Sequence, residues 1–204
     1  MTLSLAVFAK AAILGQTKTR LQPALGRAGA LQAHCQLVEY TLQQIAAVSR
    51  IRTELWVSAE HPSAMAWSER FAIPLQLQQG ADLGARMDHA LRQQLSAGAS
   101  FAFVMGCDCP SLDADYLGWA ADNCAAADVL LAPAEDGGYG MIGVARPQPE
   151  LFIDMPWGSN EVYAETRRRC EVLGLHLIAG APIWDVDRAA DWQRFQDLCS
   201  GNTV

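Results

Sequence analysis

Short apolar runs alternate with longer amphipathic stretches along this chain, the pattern left by strands and helices in turn. Residues 3–9, Leu-Ser-Leu-Ala-Val-Phe-Ala, predict a first strand. Over 28–48, Leu31, Val38, Leu42 and Ile45 recur at helical spacing and predict a long helix. A second strand is expected at 55–58, a helix opened by His61-Pro62 and running to Arg70, and a short strand at 74–78. Residues 84–95 place Met87, Leu91 and Leu95 on one helical face, and 101–105 form a strongly apolar strand. Asp113 begins a helix to about Cys124, and strands at 129–132 and 139–144 flank the Gly137-Gly138 turn. Ser159 is expected to cap a helix ending at Leu173, followed by a strand at 175–178 and a last helix at 189–198.

This alternation implies an α/β fold with a mainly parallel central sheet and helices on both faces. No repeat or low-complexity linker divides the chain, so 1–204 reads as a single domain. Ligands of such sheets bind beyond the carboxyl ends of the strands. The residues that follow predicted strands are therefore the first candidates for function.

Charge singles out one of those segments. The chain is acidic, with formal net charge −7, yet residues 1–38 contain no Asp or Glu, and the only lysines, Lys10 and Lys18, fall on either side of Gly15. Arg20 follows two residues later. Gly15 permits a tight turn, and Lys18 and Arg20 can donate to several phosphate oxygens at once. The Walker pattern GxxxxGK[ST] is absent, so this is not a P-loop of that type.

The acidic balance lacks the broad basic face that a nucleic-acid polymer requires, so a small phosphorylated ligand is the expected partner. No window of 18 apolar residues and no charged leader precedes the first strand, which excludes a membrane from the expected partners and gives a cytoplasmic location by default. The six cysteines are scattered and expected to be mostly buried and reduced; Cys107 and Cys109 lack the second pair that a zinc site needs.

Further candidates follow later strands. Asp108, between Gly106 and Pro110, ends the strongly apolar strand, where a lone carboxylate suits Mg²⁺, although Asp before Pro also simply shapes turns. Asp185 and Asp187 alternate in an extended segment, so one can reach a metal while the other caps the last helix. Asp136-Gly137-Gly138-Tyr139 lets backbone approach a ligand and offers groups for sugar or ribose hydroxyls, and it is equally an ordinary hairpin turn. The segments containing Gly84 and Arg86, and Pro156-Trp157-Gly158, are further ligand-loop signals.

In this order, AKxxxxGxxKTRL (Lys10 to Leu21), DLGxRM (Asp82 to Met87), GxDCP (Gly106 to Pro110), DGGY (Asp136 to Tyr139), PWG (Pro156 to Gly158) and DVD (Asp185 to Asp187) cover nearly the whole chain. The set resembles the bacterial GT-A-like transferases described as radical-SAM/selenodomain-associated, relatives of the nucleotide-diphospho-sugar transferases. The KTRL run is also similar to that of 2-phospholactate guanylyltransferases. Ala12 and Cys107 depart from the family's usual Pro and Ser.

The resemblance implies a Rossmann-like GT-A fold and a Mg²⁺ or Mn²⁺ ion on Asp108 and Asp187. It also implies nucleotide contacts from Lys10, Gly15, Lys18, Arg20, Gly84 and Arg86, and substrate contacts from Asp136, Gly137, Gly138, Tyr139 and Trp157. Lys18, Arg20 and Asp108 are the catalytic candidates. The basic loop favours nucleotidyl transfer from a nucleoside triphosphate to a small anionic or sugar-like acceptor. The alternatives are glycosyl transfer from a nucleotide sugar and a non-catalytic nucleotide-binding regulator.

Overall fold

A computed structural model of the chain describes residues 1–201. Among them seven strands form one sheet in the order β3-β2-β1-β4-β6-β5-β7. The strands are β1 (Leu3–Ala9), β2 (Ile51–Val57), β3 (Leu75–Leu77), β4 (Phe101–Gly106), β5 (Val129–Pro133), β6 (Tyr139–Val144) and β7 (Leu177–Ala179). Only β6 runs against its neighbours, pairing antiparallel with both β4 and β5. Six helices accompany them: α1 (Gln22–Ala46), α2 (Pro62–Phe71), α3 (Leu83–Ser96), α4 (Ala114–Asn123), α5 (Val162–Val172) and α6 (Ala189–Cys199).

The period of two in each strand divides the core. Leu3, Leu5 and Val7 of β1 and Phe101 and Phe103 of β4 pack with Val38, Leu42 and Ile45 of α1, Trp67 of α2 and Leu117 of α4. The alternate residues Ala6, Phe8, Ala102 and Val104 pack with Met87 and Leu91 of α3 and Cys170 of α5. Helices therefore cover both faces, and both faces of β1 and β4 are dry, as their continuous apolar runs imply. Trp184, Val186, Trp192 and Phe195 cover a third cluster with Leu21 and Leu37, which seats α6 on the outside of α1.

Several local boundaries differ from the sequence reading. α1 starts at Gln22 and contains Gly26 in a non-helical conformation (φ 69°, ψ 174°), so the long helix has a kinked first turn where Pro23 occupies an opening position. β2 begins at Ile51, four residues earlier than expected, because Ile51–Leu55 pair with β1 whatever their polarity. Ser159 does not cap α5: its hydroxyl accepts from the Glu161 N–H, and Glu161 is the capping residue. Neither Asp185 nor Asp187 caps α6; Asp191, within the helix, accepts from the backbone N–H groups of Asp187 and Arg188.

β1 lies between β2 and β4. Connections from it run to one side through β2 and β3, then cross to β4 on the other, so the strand order reverses at the β1–β4 crevice. The Lys10 loop leaves the carboxyl end of β1 and Asp108 that of β4. The turn from β5 to β6 and the segment after β7 open at the same end, since β5 and β7 are parallel.

Candidate functional site

Over this crevice the basic loop closes on two acidic loops. Lys18 takes a left-handed backbone conformation (φ 44°, ψ 47°), unusual for a residue with a side chain, which aims its ammonium across the sheet end. Lys18 Nζ donates to Asp108 Oδ2 (3.0 Å) and to the Val186 carbonyl (2.6 Å), tying the loops after β1, β4 and β7 together. Its side chain is 10% exposed, and that of Asp108 is 41% exposed. Two residues on, Arg20 Nη1 donates to Asp187 Oδ2 at 2.5 Å, in a more open pair.

The charges respond to one another. Burial pulls the Lys18 ammonium down, but the Asp108 carboxylate outweighs it and holds Lys18 above the ordinary lysine value. Burial likewise raises Asp108, and the Lys18 charge and hydrogen bond overcome it, keeping the carboxyl below its usual range. Asp185 has no such partner. Burial first, then the charges of Asp108 and Asp136, push its carboxyl up to about 6. Cys107 and Cys109 flank Asp108 as buried thiols; burial and the Asp108 charge push Cys107 up to about 12 and Cys109 upward in the same sense, so neither is a thiolate at neutral pH.

Other parts of the loops are fixed by backbone contacts. His34, buried in α1, donates Nε2–H to the Lys10 carbonyl (2.9 Å), and burial lowers its pKa, which keeps the ring neutral. Gly15 has φ +81° and its carbonyl accepts from Gln22 Nε2, so this turn needs glycine. The Lys10 side chain itself is exposed.

Around the rim, Asp82 caps α3 by accepting from the Ala85 N–H, and Arg86 Nε donates to the Gly80 carbonyl. A Cβ on Gly84 would stand 2.8 Å from the Phe152 carbonyl and from the Trp157 ring, so Gly84 serves close packing of the α3 start against the segment before α5. Asp136 Oδ1 accepts from the Gly138 N–H, and Tyr163 N–H donates to the Gly137 carbonyl. Tyr139 and Trp157 meet edge to face at 6.3 Å, with the Tyr139 hydroxyl and Trp157 Nε1 both buried and unpartnered. These two side chains do not present their polar atoms to solvent, unlike Asp136, which is exposed, so the expected hydrogen bonding of a ligand by the Tyr139 hydroxyl is not what this packing offers.

Two residues that sequence reasoning did not mark also shape the loops. Arg194 stacks over Trp184 (4.2 Å to the ring centroid) and steadies the segment leading to Asp185. Arg169 donates to the carbonyls of Glu150, Ile153 and Asp154, holding the turn that carries Phe152 and Trp157. Neither shows a sequence signal, because Arg in a polar helix ordinarily marks a solvated face.

The donor set suits a hard cation. Asp108 and Asp187 each leave one carboxylate oxygen outside their pairs with Lys18 and Arg20, and among the described residues Asp185 makes no ion pair of its own. Among the described residues no group of three or more His, Cys, Asp or Glu is arranged to hold a metal. A one- or two-carboxylate site of this kind fits Mg²⁺ or Mn²⁺ completed by water and phosphate.

A family described as uncharacterized protein conserved in bacteria (DUF2064) matches residues 41–159. The chain belongs to that family. The DUF2064 match spans the last turns of α1 to the loop before α5, including Asp108 and the Asp136–Tyr139 turn, while the basic loop and the Asp185–Asp187 segment lie outside it. No curated protein matches the chain.

Among solved structures, this DUF2064 chain is similar to a candidate nucleotide-diphospho-sugar transferase from Desulfovibrio desulfuricans G20, with TM-score 0.83 and 27% identity over 92% of this chain and 84% of that one. A CMP:2-keto-3-deoxy-manno-octonic acid synthetase solved with CTP matches with TM-score 0.59 and 11% identity over the full length of both chains. Rv0371c from Mycobacterium tuberculosis H37Rv, solved with manganese, matches with TM-score 0.55 and 15% identity over 95% and 97% of the two chains. The fold is that of the nucleotide-diphospho-sugar transferases and their Rossmann-like relatives. Among the described residues no helix is long and apolar enough to cross a membrane.

Proposed function

We propose that this protein is a divalent-metal-dependent nucleotidyltransferase that joins a nucleoside monophosphate unit to a small acceptor and releases pyrophosphate. The observation that carries this reading is the pairing of Lys18 with Asp108 and of Arg20 with Asp187 at the point where the sheet order reverses. A site with alternating carboxylates and fixed cations accommodates a metal-bound polyphosphate by exchanging internal pairs for ligand pairs of the same chemistry. The CTP bound by the synthetase of the same fold supports the donor class, and the manganese complex of Rv0371c supports the metal.

In this reading an acceptor oxygen forms a bond to the α-phosphorus as the bond to the β-phosphate oxygen breaks, so that pyrophosphate leaves in line. Mg²⁺ or Mn²⁺ held by Asp108 and Asp187 would draw charge from the phosphate oxygens. Lys18 and Arg20 stabilise the charge on the departing group, Gly15 lets the backbone N–H groups approach it, and the Gly84 and Arg86 segment takes the nucleoside side. Asp136 lies open to the acceptor, while the backbone groups of Gly137 and Gly138 are spent on bonds within the turn and to Tyr163, with Tyr139 and Trp157 excluding water behind them. Catalysis is then chiefly positioning and charge stabilisation.

The likeness at 27% identity to a candidate nucleotide-diphospho-sugar transferase favours a second reading, glycosyl transfer from a nucleotide sugar with the same loops holding the diphosphate. Incubation with Mg²⁺, the four nucleoside triphosphates and a panel of sugar phosphates and hydroxy acids separates them. Pyrophosphate release is the expected result. Release of a nucleoside diphosphate from a sugar nucleotide selects the second reading, nucleotide binding without turnover selects a regulatory module, and binding of neither donor class overturns all three.

A further inference from the structure

Among the described residues, every Lys and Arg side chain pairs with a carboxylate except Lys10, Arg27, Arg86 and Arg188. In a chain with an excess of acid this is not for want of partners. Lys10 belongs to the basic loop, Arg86 to the start of α3, and Arg188 follows Asp187, so three of the four already stand at the carboxyl end of the sheet. Arg27 is the fourth, and no sequence motif includes it.

Its position follows from the kink in α1. Gly26 adopts φ 69° and ψ 174°, a combination closed to residues with a side chain, and continuous helix resumes at Arg27. Arg27 is exposed, with no side-chain hydrogen bond, and lies over the turn of the basic loop: a Cβ on Gly15 would be 3.7 Å from Arg27 Cδ. Seven residues on, about 10 Å along the axis at the helical rise, His34 on the same side holds the Lys10 carbonyl. The loop from Lys10 to Gly15 thus runs along one side of α1, from His34 to Arg27.

A cation at the resumption of a helix faces the positive end of the dipole, which disfavours it, and residues 1–38 offer no carboxylate to compensate. A bound anion removes both penalties. Lys18 and Arg20, by contrast, are already committed to Asp108 and Asp187.

Resting on the reading of the site as nucleotide-binding, we propose that Arg27 is a donor-specificity residue that grips the outermost phosphate of a nucleoside triphosphate across the Gly15 turn. The fork of a guanidinium matches a terminal phosphate, whose two or three free oxygens accept paired N–H groups. A nucleoside monophosphate lacks that outer phosphate and so makes no contact with Arg27 in this proposal. The residue therefore selects triphosphate over shorter chains.

The test is a binding titration with Mg²⁺ on wild type, Arg27→Gln, Arg27→Lys and the control Arg146→Gln, whose partner Asp128 precedes β5 at the opposite end of the sheet. Ligands are the four nucleoside triphosphates, their monophosphates and inorganic tripolyphosphate. Arg27→Gln is expected to weaken triphosphate and tripolyphosphate about tenfold, the scale of one charge-assisted hydrogen-bonded contact. Monophosphate affinity and Tm stay unchanged, Arg27→Lys recovers part of the loss, and Arg146→Gln binds as wild type. Triphosphate affinity unchanged in Arg27→Gln, or an equal loss for mono- and triphosphate, overturns the role of Arg27 while leaving the nucleotide reading standing. Wild type that binds none of these ligands overturns both.

Discussion

At the residue scale, the site is governed by which charge finds a partner. Lys18 is drawn by Asp108 and the Val186 carbonyl, and its long side chain is largely buried, so its ammonium acts as an internal counter-ion as well as a candidate phosphate donor. Lys18→Met is expected to lower stability by about 1–3 kcal/mol, the scale of hydrogen bonds to charged groups, in urea unfolding near pH 7. The pH dependence has a definite sign. Asp108 is lowered in the fold, so its contribution is present above its unfolded value of 3.8 and lost as the pH falls through its native value. Lys18 is raised, so its contribution is present below 10.5 and lost as the pH climbs past that. The deficit of Lys18→Met should accordingly close in strong acid.

Asp185 behaves in the opposite sense. With its pKa raised to about 6, its favourable contribution is complete only below 3.8 and disappears as the pH rises through about 6. Asp185→Asn, followed by thermal unfolding in chelator, should melt higher than wild type at pH 8, with the gain shrinking to nothing near pH 4. A gain of equal size at both pH values would show that the charge of Asp185 is not its source.

At the scale of elements, two glycines set where the charged loops go. Gly26 breaks the first turn of α1 from the rest of the helix, and Gly137 turns β5 into β6 with φ +89° while its α-carbon lies against the Asn160 backbone. Gly26→Ala retains space around the new methyl but forces a glycine-only conformation, so it should cost about 1–3 kcal/mol in denaturant unfolding. If the kink serves to place Arg27, the same variant should also weaken triphosphate. A variant that loses stability but binds triphosphate as wild type would separate the kink from the ligand.

The elements were legible wherever one pattern ran uninterrupted. β1 (Leu3–Ala9) and β6 (Tyr139–Val144) lie where alternation and turn residues predict them, and α2 and α4 begin just after the capping residues His61 and Asp113. β2 extends back over Arg52 and Glu54 because backbone pairing with β1 carries polar residues too, here paired with each other at the margin of the face that buries Trp56. The start of α5 moved from Ser159 to Glu161 because the Pro156–Ser159 turn uses the serine hydroxyl locally.

At the scale of the whole molecule, a net charge of −7 surrounds a crevice in which carboxylates and cations are matched in part. Binding of a metal-bound polyphosphate adds both signs at once and should stabilise the fold without a large change in its charge balance. At a ligand concentration about 100 times Kd, linkage predicts a gain of about 2.7 kcal/mol, readable as a thermal shift. Asp108→Asn should abolish the Mg²⁺-dependent part of that shift. A full Mg²⁺-dependent shift in this variant would move the metal away from Asp108.

The sequence by itself determined the α/β alternation, the single sheet, the helices on both faces and the carboxyl-end loops in which candidate groups stand. Hydrophobic periodicity and turn chemistry are local, and they act within a dozen residues whatever the rest of the chain does. Only the tertiary structure decided which charges meet. Lys18 and Asp108 are 90 residues apart in sequence, and Arg20 and Asp187 are separated by 167. The Tyr139 hydroxyl and Trp157 Nε1 are turned inward, Trp157 packed against Gly84 and Tyr139 edge to face against Trp157. Arg27, silent in the sequence, stands out only once the paired cations are seen with their partners and Lys10, Arg86 and Arg188 are seen at the carboxyl end of the sheet, because an ion pair is a property of distance and not of composition.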